Sequence, residues 1–305
     1  MFSEDYDVYR SLWLAIFHSV SAWNNAGFSL LEDSFTGYRS SLIVNFVVCG
    51  LIIFGGLGYD TIIEMYSWLA RLLKRNRAKF VFSLNFKVVT STSLSLLFLG
   101  TVAFFMIEFT NPQAWSSLSL KERFLAAWFQ SVVTRTAGFN TIEIGQMTTA
   151  ALFIAIGLMF IGASPGGTGG GIKTTTLRIL VNCTRSILQE KKEVVLYGRS
   201  LPTTVVLKAV GVVFGLATAI VAAIILISLT DSSFPFIQLL FEVTSAFATV
   251  GLSTGITTSL SAWGKLVLIV TMYVGRVGIL IFIGAILGES SPSVIKHPEE
   301  NLLVG

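Results

Sequence analysis

Apolar residues in this chain come in long runs rather than at the spacing of half-buried soluble elements. A helix needs about 20 apolar residues to cross the hydrocarbon core of a bilayer. Five segments reach that length: roughly 41–63, 88–109, 147–182, 203–229 and 262–287. The third is interrupted by Gly162-Ala-Ser-Pro165-Gly-Gly-Thr-Gly-Gly-Gly171. Proline removes a helix hydrogen bond and glycine lowers helix propensity, so the span is predicted to break there. Shorter amphipathic stretches at 11–23, 121–133 and 234–247 fit re-entrant or interfacial helices.

Composition agrees with a membrane reading. Of 305 residues, 53% are hydrophobic and 12% charged, where a soluble domain carries about 25% charge. A water-soluble enzyme, a disordered chain and a fibrous repeat are excluded. Cys49 and Cys183 have no metal or disulfide spacing, and two histidines, His18 and His297, are too few for a His-based metal site.

The net charge of +4 is explained by position. Arg71, Lys74, Arg75, Arg77, Lys79 and Lys87 crowd the 71–87 connection. Lys173, Arg178, Arg185, Lys191, Lys192, Arg199 and Lys208 crowd 173–208, while the opposite side has Arg10, Arg39, Lys121 and Arg123. The positive-inside rule makes the two basic connections cytoplasmic and places residues 1–40 outside. A multi-pass protein of the plasma (inner) membrane is expected, with membrane lipid as its surroundings and no nucleic acid as partner.

Three segments repeat: Phe17-His-Ser-Val-Ser-Ala-Trp-Asn-Asn-Ala-Gly27-Phe-Ser29, Phe129-Gln-Ser-Val-Val-Thr-Arg-Thr-Ala-Gly138-Phe-Asn140 and Phe241-Glu-Val-Thr-Ser-Ala-Phe-Ala-Thr-Val-Gly251-Leu-Ser253. The middle copy is one residue shorter, and the glycines lie 111 and 113 residues apart. Each loop follows a short helix and precedes a span. Irregular backbone at membrane depth is tolerated only where it is buried or lines a water-filled cavity, so three such loops argue for a pore. Filters can replace a cation's hydration shell with backbone carbonyls, and glycine permits the dihedrals that turn them inward. Close helix packing is the competing reading of one such glycine; three in register favour the filter.

On these motifs the chain resembles the Trk/Ktr/HKT superfamily of potassium transporters. Asn25-Ala-Gly-Phe-Ser, Thr134-Arg-Thr-Ala-Gly-Phe-Asn-Thr141 and Thr249-Val-Gly-Leu-Ser-Thr-Gly255 look like its second, third and fourth filter loops. Residues 162–173 look like its gating loop, and Tyr273-Val-Gly-Arg276-Val-Gly looks like its last helix, with a pore-facing arginine. The resemblance implies an all-α polytopic membrane protein of repeated membrane–pore–membrane units around a pseudo-fourfold pore. Residues 1–75 would be the second unit without its first helix, 76–190 the third and 191–305 the fourth. The leading span begins 50 and 48 residues before the glycine in the two complete units. By that measure one unit and one helix are expected to be lacking or supplied from elsewhere.

The resemblance further implies potassium uptake, a homodimer and a cytoplasmic nucleotide-binding regulatory subunit. No cofactor is expected in this chain, with potassium as the transported ion. The filter ligands would be main-chain oxygens of Asn25, Ala26, Gly27, Thr136, Ala137, Gly138, Thr249, Val250 and Gly251. The gate would comprise Gly162, Pro165, Gly166, Gly167, Gly169, Gly170, Gly171 and Arg276.

Other residues have competing readings. Arg276, near the centre of the last span, is expected to pair with the 162–171 loop, or else with Asp60 or Glu64. Arg135 is expected either to hold the third filter loop by carbonyl bonds or to pair with Glu242. His18, Gln130 and Glu242 occupy similar places on the short helices and are expected to brace helix to loop. Lys173 reads as a positive-inside anchor. A phosphate loop at 166–174 is not expected, because Ile172 separates the glycines from Lys173 and an apolar span precedes them. Glu4, Asp5, Asp7, Glu32, Asp33, Glu108, Glu122, Glu143 and Asp231 give the outer side an acidic surface able to concentrate cations. Trp13, Trp115 and Trp263 fit interfacial anchors.

Three alternatives stand beside this reading. One is a sodium-permeable or sodium-coupled transporter of the same family. Another is a secondary transporter of another class that uses the broken helix as its substrate site. The last, a membrane enzyme, needs a cluster of ionisable groups at one depth, and the sequence supplies none.

Overall fold

The structure is a computed structural model, and it describes residues 2, 5–74, 80–112, 115, 118–278 and 284. Ten helices carry the described chain: α1 (Val8–Trp23), α2 (Leu42–Leu57), α3 (Tyr59–Leu73), α4 (Leu84–Glu108), α5 (Leu120–Val133), α6 (Thr149–Phe160), α7 (Thr174–Leu188), α8 (Thr203–Thr230), α9 (Phe236–Phe247) and α10 (Ala262–Val277). Their starts are chemically marked. The side chains of Asp7, Ser41, Ser83, Ser119, Thr148 and Ser261 each accept a hydrogen bond from a first-turn N–H that lacks a helical partner.

α4 and α8 are long and apolar enough to cross a membrane. α2 and α3 together also meet that test, but they are bent by 107°. The span predicted over 41–63 is therefore broken near its end, at Gly58. Hydropathy runs on through the bend, but Gly58 between the helices has φ +89°, a conformation that glycine adopts at little cost. Beyond it α3 is amphipathic, with Thr61 its one buried residue. The third predicted span breaks as expected, into α6 and α7. In the last, α10 ends at Val277, capped by Gly278 at φ +91°. Arg75, Arg77, Lys79, Lys296, His297, Glu4 and the stretch of 262–287 beyond 278, Gly284 excepted, lie outside the described residues.

Packing follows the repeat. Within units, α1 lies on α2, α5 on α4, and α9 on both α8 and α10. Between units, α2 packs on α5 and α6 on α9. α5 and α9 are thus each wedged between their own unit and the outgoing helix of the unit before it. The larger core cluster joins Phe35, Phe129, Phe139, Cys49 and Met159, and a second joins α8, α9 and α10. Leu94 and Phe98 on α4 and Phe214 and Ile225 on α8 face outward, as a lipid-facing surface requires. Trp13 and Trp263 are exposed, but Trp115 is buried and packs on Phe105, so it is not an interfacial anchor.

One element was not anticipated. Val195–Leu196 and Arg199–Ser200 pair as a two-stranded hairpin. Tyr197 and Gly198 turn it at φ +49° and +75°, the geometry of a tight two-residue loop. The Tyr197 hydroxyl donates to Ser91 Oγ at 2.8 Å, tying the hairpin to α4.

Candidate functional site

The three glycine loops meet at one place and share one backbone conformation. Asn25, Thr136 and Thr249 have φ +50°, +69° and +51°. The glycines two residues on, Gly27, Gly138 and Gly251, have φ +71°, +77° and +90°. A β-branched residue at positive φ is a genuine outlier, so Thr136 and Thr249 are held there by their surroundings. Ala26 N bonds Ser21 O at 2.9 Å, and Val250 N bonds Ser245 O at 2.8 Å. The hydroxyls of the same serines donate forward across each loop, Ser21 to Phe28 O at 2.8 Å and Ser245 to Leu252 O at 2.6 Å. This is the physical content of the shared Ser-Ala-aromatic triplet. The shorter middle loop has Val133 in that role, whose carbonyl accepts from Ala137 N at 3.0 Å.

The glycines face one another in sequence. A Cβ on Gly27 would stand 2.7 Å from Ala137 O, and one on Gly138 would stand 2.5 Å from Val250 O. Each of these glycines therefore meets the carbonyl just before the next unit's glycine. A Cβ on Gly251 would meet Gly138 Cα at 3.5 Å and nothing closer. The side between Gly251 and the first loop is open: a cavity of about 340 Å³ lined by residues including Ala26, Phe28, Gly251, Leu268 and Met272. On the outer face a second cavity of about 400 Å³ is bounded by Gly138, Glu143, Gly251 and Thr254.

Residues 162–171 lie against the opposite face of the same loops. A Cβ on Gly169 would stand 1.8 Å from Thr136 Oγ1, and one on Gly170 would stand 2.6 Å from Ala248 O. Thr168 Oγ1 donates to Trp23 O at 3.3 Å, so the segment touches the approaches to all three glycine loops. Its ends are pinned together by Gly162 N to Ile172 O at 2.9 Å and Ala163 N to Gly170 O at 3.2 Å. It is seated on the end of α2, where Ser164 N bonds Gly56 O at 3.0 Å, Thr168 N bonds Gly55 O at 3.2 Å, and Gly166 O accepts from Tyr59 N at 3.2 Å. Pro165 lies at the bend, its carbonyl 2.2 Å from where a Gly58 Cβ would be. Gly167 packs on Gly56 O, and Gly171 turns the chain at φ +69°.

The comparisons with known proteins bear on this arrangement. The TrkH model, described as "Cation transport protein", matches residues 3–290. The chain belongs to the TrkH family. It is 39% identical to the Ktr system potassium uptake protein B of Vibrio alginolyticus, over 96% of this chain and 63% of that protein. It is 34% identical to its Bacillus subtilis counterpart, over 96% and 64%, and 36% identical to the potassium/sodium uptake protein NtpJ of Enterococcus hirae, over 97% and 65%. The crystal structure of the potassium transporter TrkH from Vibrio parahaemolyticus shares the fold, with a TM-score of 0.70 at 21% identity, over 92% of this chain and 62% of that one. The chain thus spans a little under two thirds of the length of these relatives. It is a polytopic membrane protein of a transporter family, and its relatives are named as uptake proteins rather than enzymes.

Within this TrkH-family fold, some side chains sit as expected and others do not. Arg276, in the last turn of α10, pairs with the 162–171 segment as expected, its Nη1 donating to Thr168 O at 2.6 Å. Glu64 is taken up by Ser83, whose N–H and hydroxyl it accepts at 2.5 and 2.7 Å. Lys173 is more than an anchor: its Nζ turns back to Gly169 O at 2.8 Å. Two cations thus hold adjacent carbonyls of the Gly-rich segment. Sequence reasoning missed Lys173 because its charge alone already satisfied the topology rule.

Arg135 does not pair with Glu242. Its Nη2 donates to Gly162 O at 3.2 Å and its Nη1 to Ser93 O at 3.4 Å, linking the middle glycine loop to the broken span and α4. Glu242 instead braces its own loop, accepting from Ser253 Oγ at 2.7 Å, Thr254 N at 2.8 Å and Thr257 Oγ1 at 2.7 Å. His18 does the same for the first loop through Ser29 Oγ at 3.0 Å and Leu30 N at 3.3 Å. Gln130 does not: its amide is buried without a hydrogen-bond partner. The middle loop is held from outside instead, with Asn140 bonded to Ser34 Oγ at 3.2 Å and to Phe35 N at 3.0 Å.

Two of the outer acids are buried and do not belong to a surface field. Glu108 at the end of α4 accepts from Thr148 N at 2.9 Å, and Asp231 at the end of α8 accepts from Ser261 N at 2.7 Å. The acids closing α4 and α8 thus cap α6 and α10, the helices that follow the Gly138 and Gly251 loops.

Proposed function

We propose that this chain forms three walls of a potassium uptake path, with a filter of backbone carbonyls and the Gly-rich segment as its gate. The observation that carries the reading is the mutual facing of Gly27, Gly138 and Gly251, with no room for a side chain at Gly27 or Gly138 and a positive φ at all three. Alternating the sign of φ at successive residues turns neighbouring carbonyls to the same side, where an extended strand would alternate them. Residues 25–27, 136–138 and 249–251 all have this alternation, which suits a stack of oxygens replacing a hydration shell. The names of the Vibrio and Bacillus relatives support potassium as cargo. The Enterococcus relative's name keeps a sodium-permeable or sodium-coupled variant as the second reading.

The gate reading rests on the segment's position across one face of the filter and on its two cationic ties. Conduction would require it to leave Thr136, Thr249 and Trp23. On the same reading the protein works as a homodimer with a cytoplasmic nucleotide-binding regulatory subunit. The basic connections at 71–87 and 185–199 are the surfaces offered to it.

The test is potassium uptake in a transport-deficient cell, with and without excess sodium. Gly138→Val and Gly251→Val are expected to abolish potassium-selective uptake while the protein still reaches the membrane. Unchanged uptake in both variants would sink the filter.

A further inference from the structure

α3 carries an apolar face that no other described residue covers. Tyr59, Ile63, Tyr66, Leu69 and Leu73 follow one another at intervals of three or four residues, which puts them on one side of the helix. All five are exposed, Tyr66 at 71% and Leu73 at 76%. Asp60, Glu64, Ser67, Arg71 and Lys74 follow the same spacing on another side.

The position of α3 says what covers this face. α2 ends at Leu57, and the chain turns by 107° into α3. A helix leaving a span at that angle runs along the bilayer surface rather than away from it. α3 is also held level with the start of the spanning helix α4. Glu64 accepts from Ser83 Oγ at 2.7 Å, and the Trp68 ring lies 6.0 Å from that of Phe82. Both ends of this connection are therefore at the cytoplasmic edge of the membrane. Charge favours an acidic neighbour there. No Asp or Glu lies between Glu64 and Glu108, whereas Arg71, Lys74, Arg75, Arg77, Lys79 and Lys87 do. A helix in the interface plane with an apolar face and basic residues beside it is held by burial of that face and by attraction to anionic lipid. Tyrosine and tryptophan suit the headgroup level.

We propose that α3 is an interfacial anchor, with Tyr59, Ile63, Tyr66, Leu69 and Leu73 sunk into the cytoplasmic leaflet and Arg71 and Lys74 on anionic phospholipid headgroups. The rest of the 71–87 connection stays open to the regulatory subunit. The anchor bears on the Gly-rich segment, because Tyr59 N donates to Gly166 O at 3.2 Å and Pro165 O packs on Gly58. Lipid that fixes α3 thus fixes the seat of that segment. The anchor stands without the gate reading; only its effect on flux rests on it.

The test uses the full-length protein in nanodiscs of phosphatidylcholine with phosphatidylglycerol. A fluorophore is attached at Tyr66→Cys, Leu73→Cys or, as the polar-side control, Asp60→Cys. Accessible cysteines, Cys183 among them, are replaced beforehand, while Cys49 is buried. At positions 66 and 73, lipid carrying a spin label near its headgroup is expected to quench several-fold more than aqueous iodide, with the order reversed at 60. Two positions on the face keep the test intact if one variant does not fold. Native mass spectrometry should show several-fold less bound phosphatidylglycerol after Arg71→Gln with Lys74→Gln. The same pair should raise basal potassium flux in phosphatidylglycerol vesicles. Iodide quenching at both 66 and 73 would overturn the anchor. So would stronger quenching by a spin label at the chain end, which would make α3 part of a span. Shielding that appears only with the nucleotide-binding subunit bound would give the face to protein and overturn it too. Unchanged phosphatidylglycerol binding in the double variant would remove the headgroup contact. Lipid quenching and lipid binding as expected, with flux unmoved, would count against the gate and leave the anchor standing.

Discussion

Gly169 lies directly beneath Thr136: a single methyl on the glycine would stand 1.8 Å from the threonine hydroxyl. The gate candidate and a filter residue therefore share a contact that only glycine permits. Gly169→Ala is predicted to push the segment off the filter and to raise basal potassium uptake several-fold. Uptake kinetics in the deficient cell measure this. If the variant is properly inserted and uptake stays at the unmutated level, the segment packs beside the path without blocking it.

Gly58 is the second position where backbone geometry decides the outcome. Its φ of +89° and the Pro165 carbonyl 2.2 Å from a Cβ site forbid a side chain. Gly58→Ala is predicted to destabilise the fold by about 1–3 kcal/mol, the usual scale of held backbone strain. A lower melting temperature in detergent checks it, and an unchanged one would mean that α2 and α3 straighten freely.

Glu242 makes a different prediction. A buried carboxylate that accepts from Ser253, Thr254 and Thr257 fixes the outer half of the third glycine loop. Hydrogen bonds to a charged group contribute about 1.5–3 kcal/mol each. Glu242→Ala should therefore lower both thermal stability and the potassium-over-sodium preference of uptake, with Glu242→Gln intermediate. A loss of stability with selectivity intact would make the brace structural only.

Asp231 has a pH signature. Burial alone would raise its carboxyl, but hydrogen bonds from Thr230 and from the N–H and hydroxyl of Ser261, with Lys265 nearby, hold it below the usual carboxylate value. A depressed folded-state value means the group stabilises the fold above the unfolded carboxylate range and loses that contribution as pH falls through the folded value. Asp231→Asn should be less stable than the parent at neutral pH, and its melting temperature should fall less steeply on acidification. Parallel melting curves across that range would contradict the assignment.

The helices, the break at 162–171 and the three loops were legible because each has a strong local signal. Long apolar runs mark spans, clustered glycines mark the break, and a repeated segment ending in glycine marks the three loops. The bend at Gly58 was not legible, since apolar residues continue through it and its cause is a carbonyl more than a hundred residues away. The same holds for Arg135 and Lys173, whose partners are backbone oxygens that carry no sequence signature. Trp115 shows the converse: its place near a helix end suggested an interface, but tertiary packing against Phe105 buried it. The buried acids Glu108 and Asp231 were counted as surface charge because their task, capping a helix one segment further on, appears only once the chain is folded.

The most direct measurement is anomalous diffraction, or an equivalent density difference, from the full-length protein soaked in rubidium. A carbonyl filter predicts rubidium on the axis between the main-chain oxygens around Gly27, Gly138 and Gly251, displaced by potassium and lost in Gly138→Val. Rubidium bound only elsewhere, or absent from that axis in a protein that still transports potassium, would contradict the account.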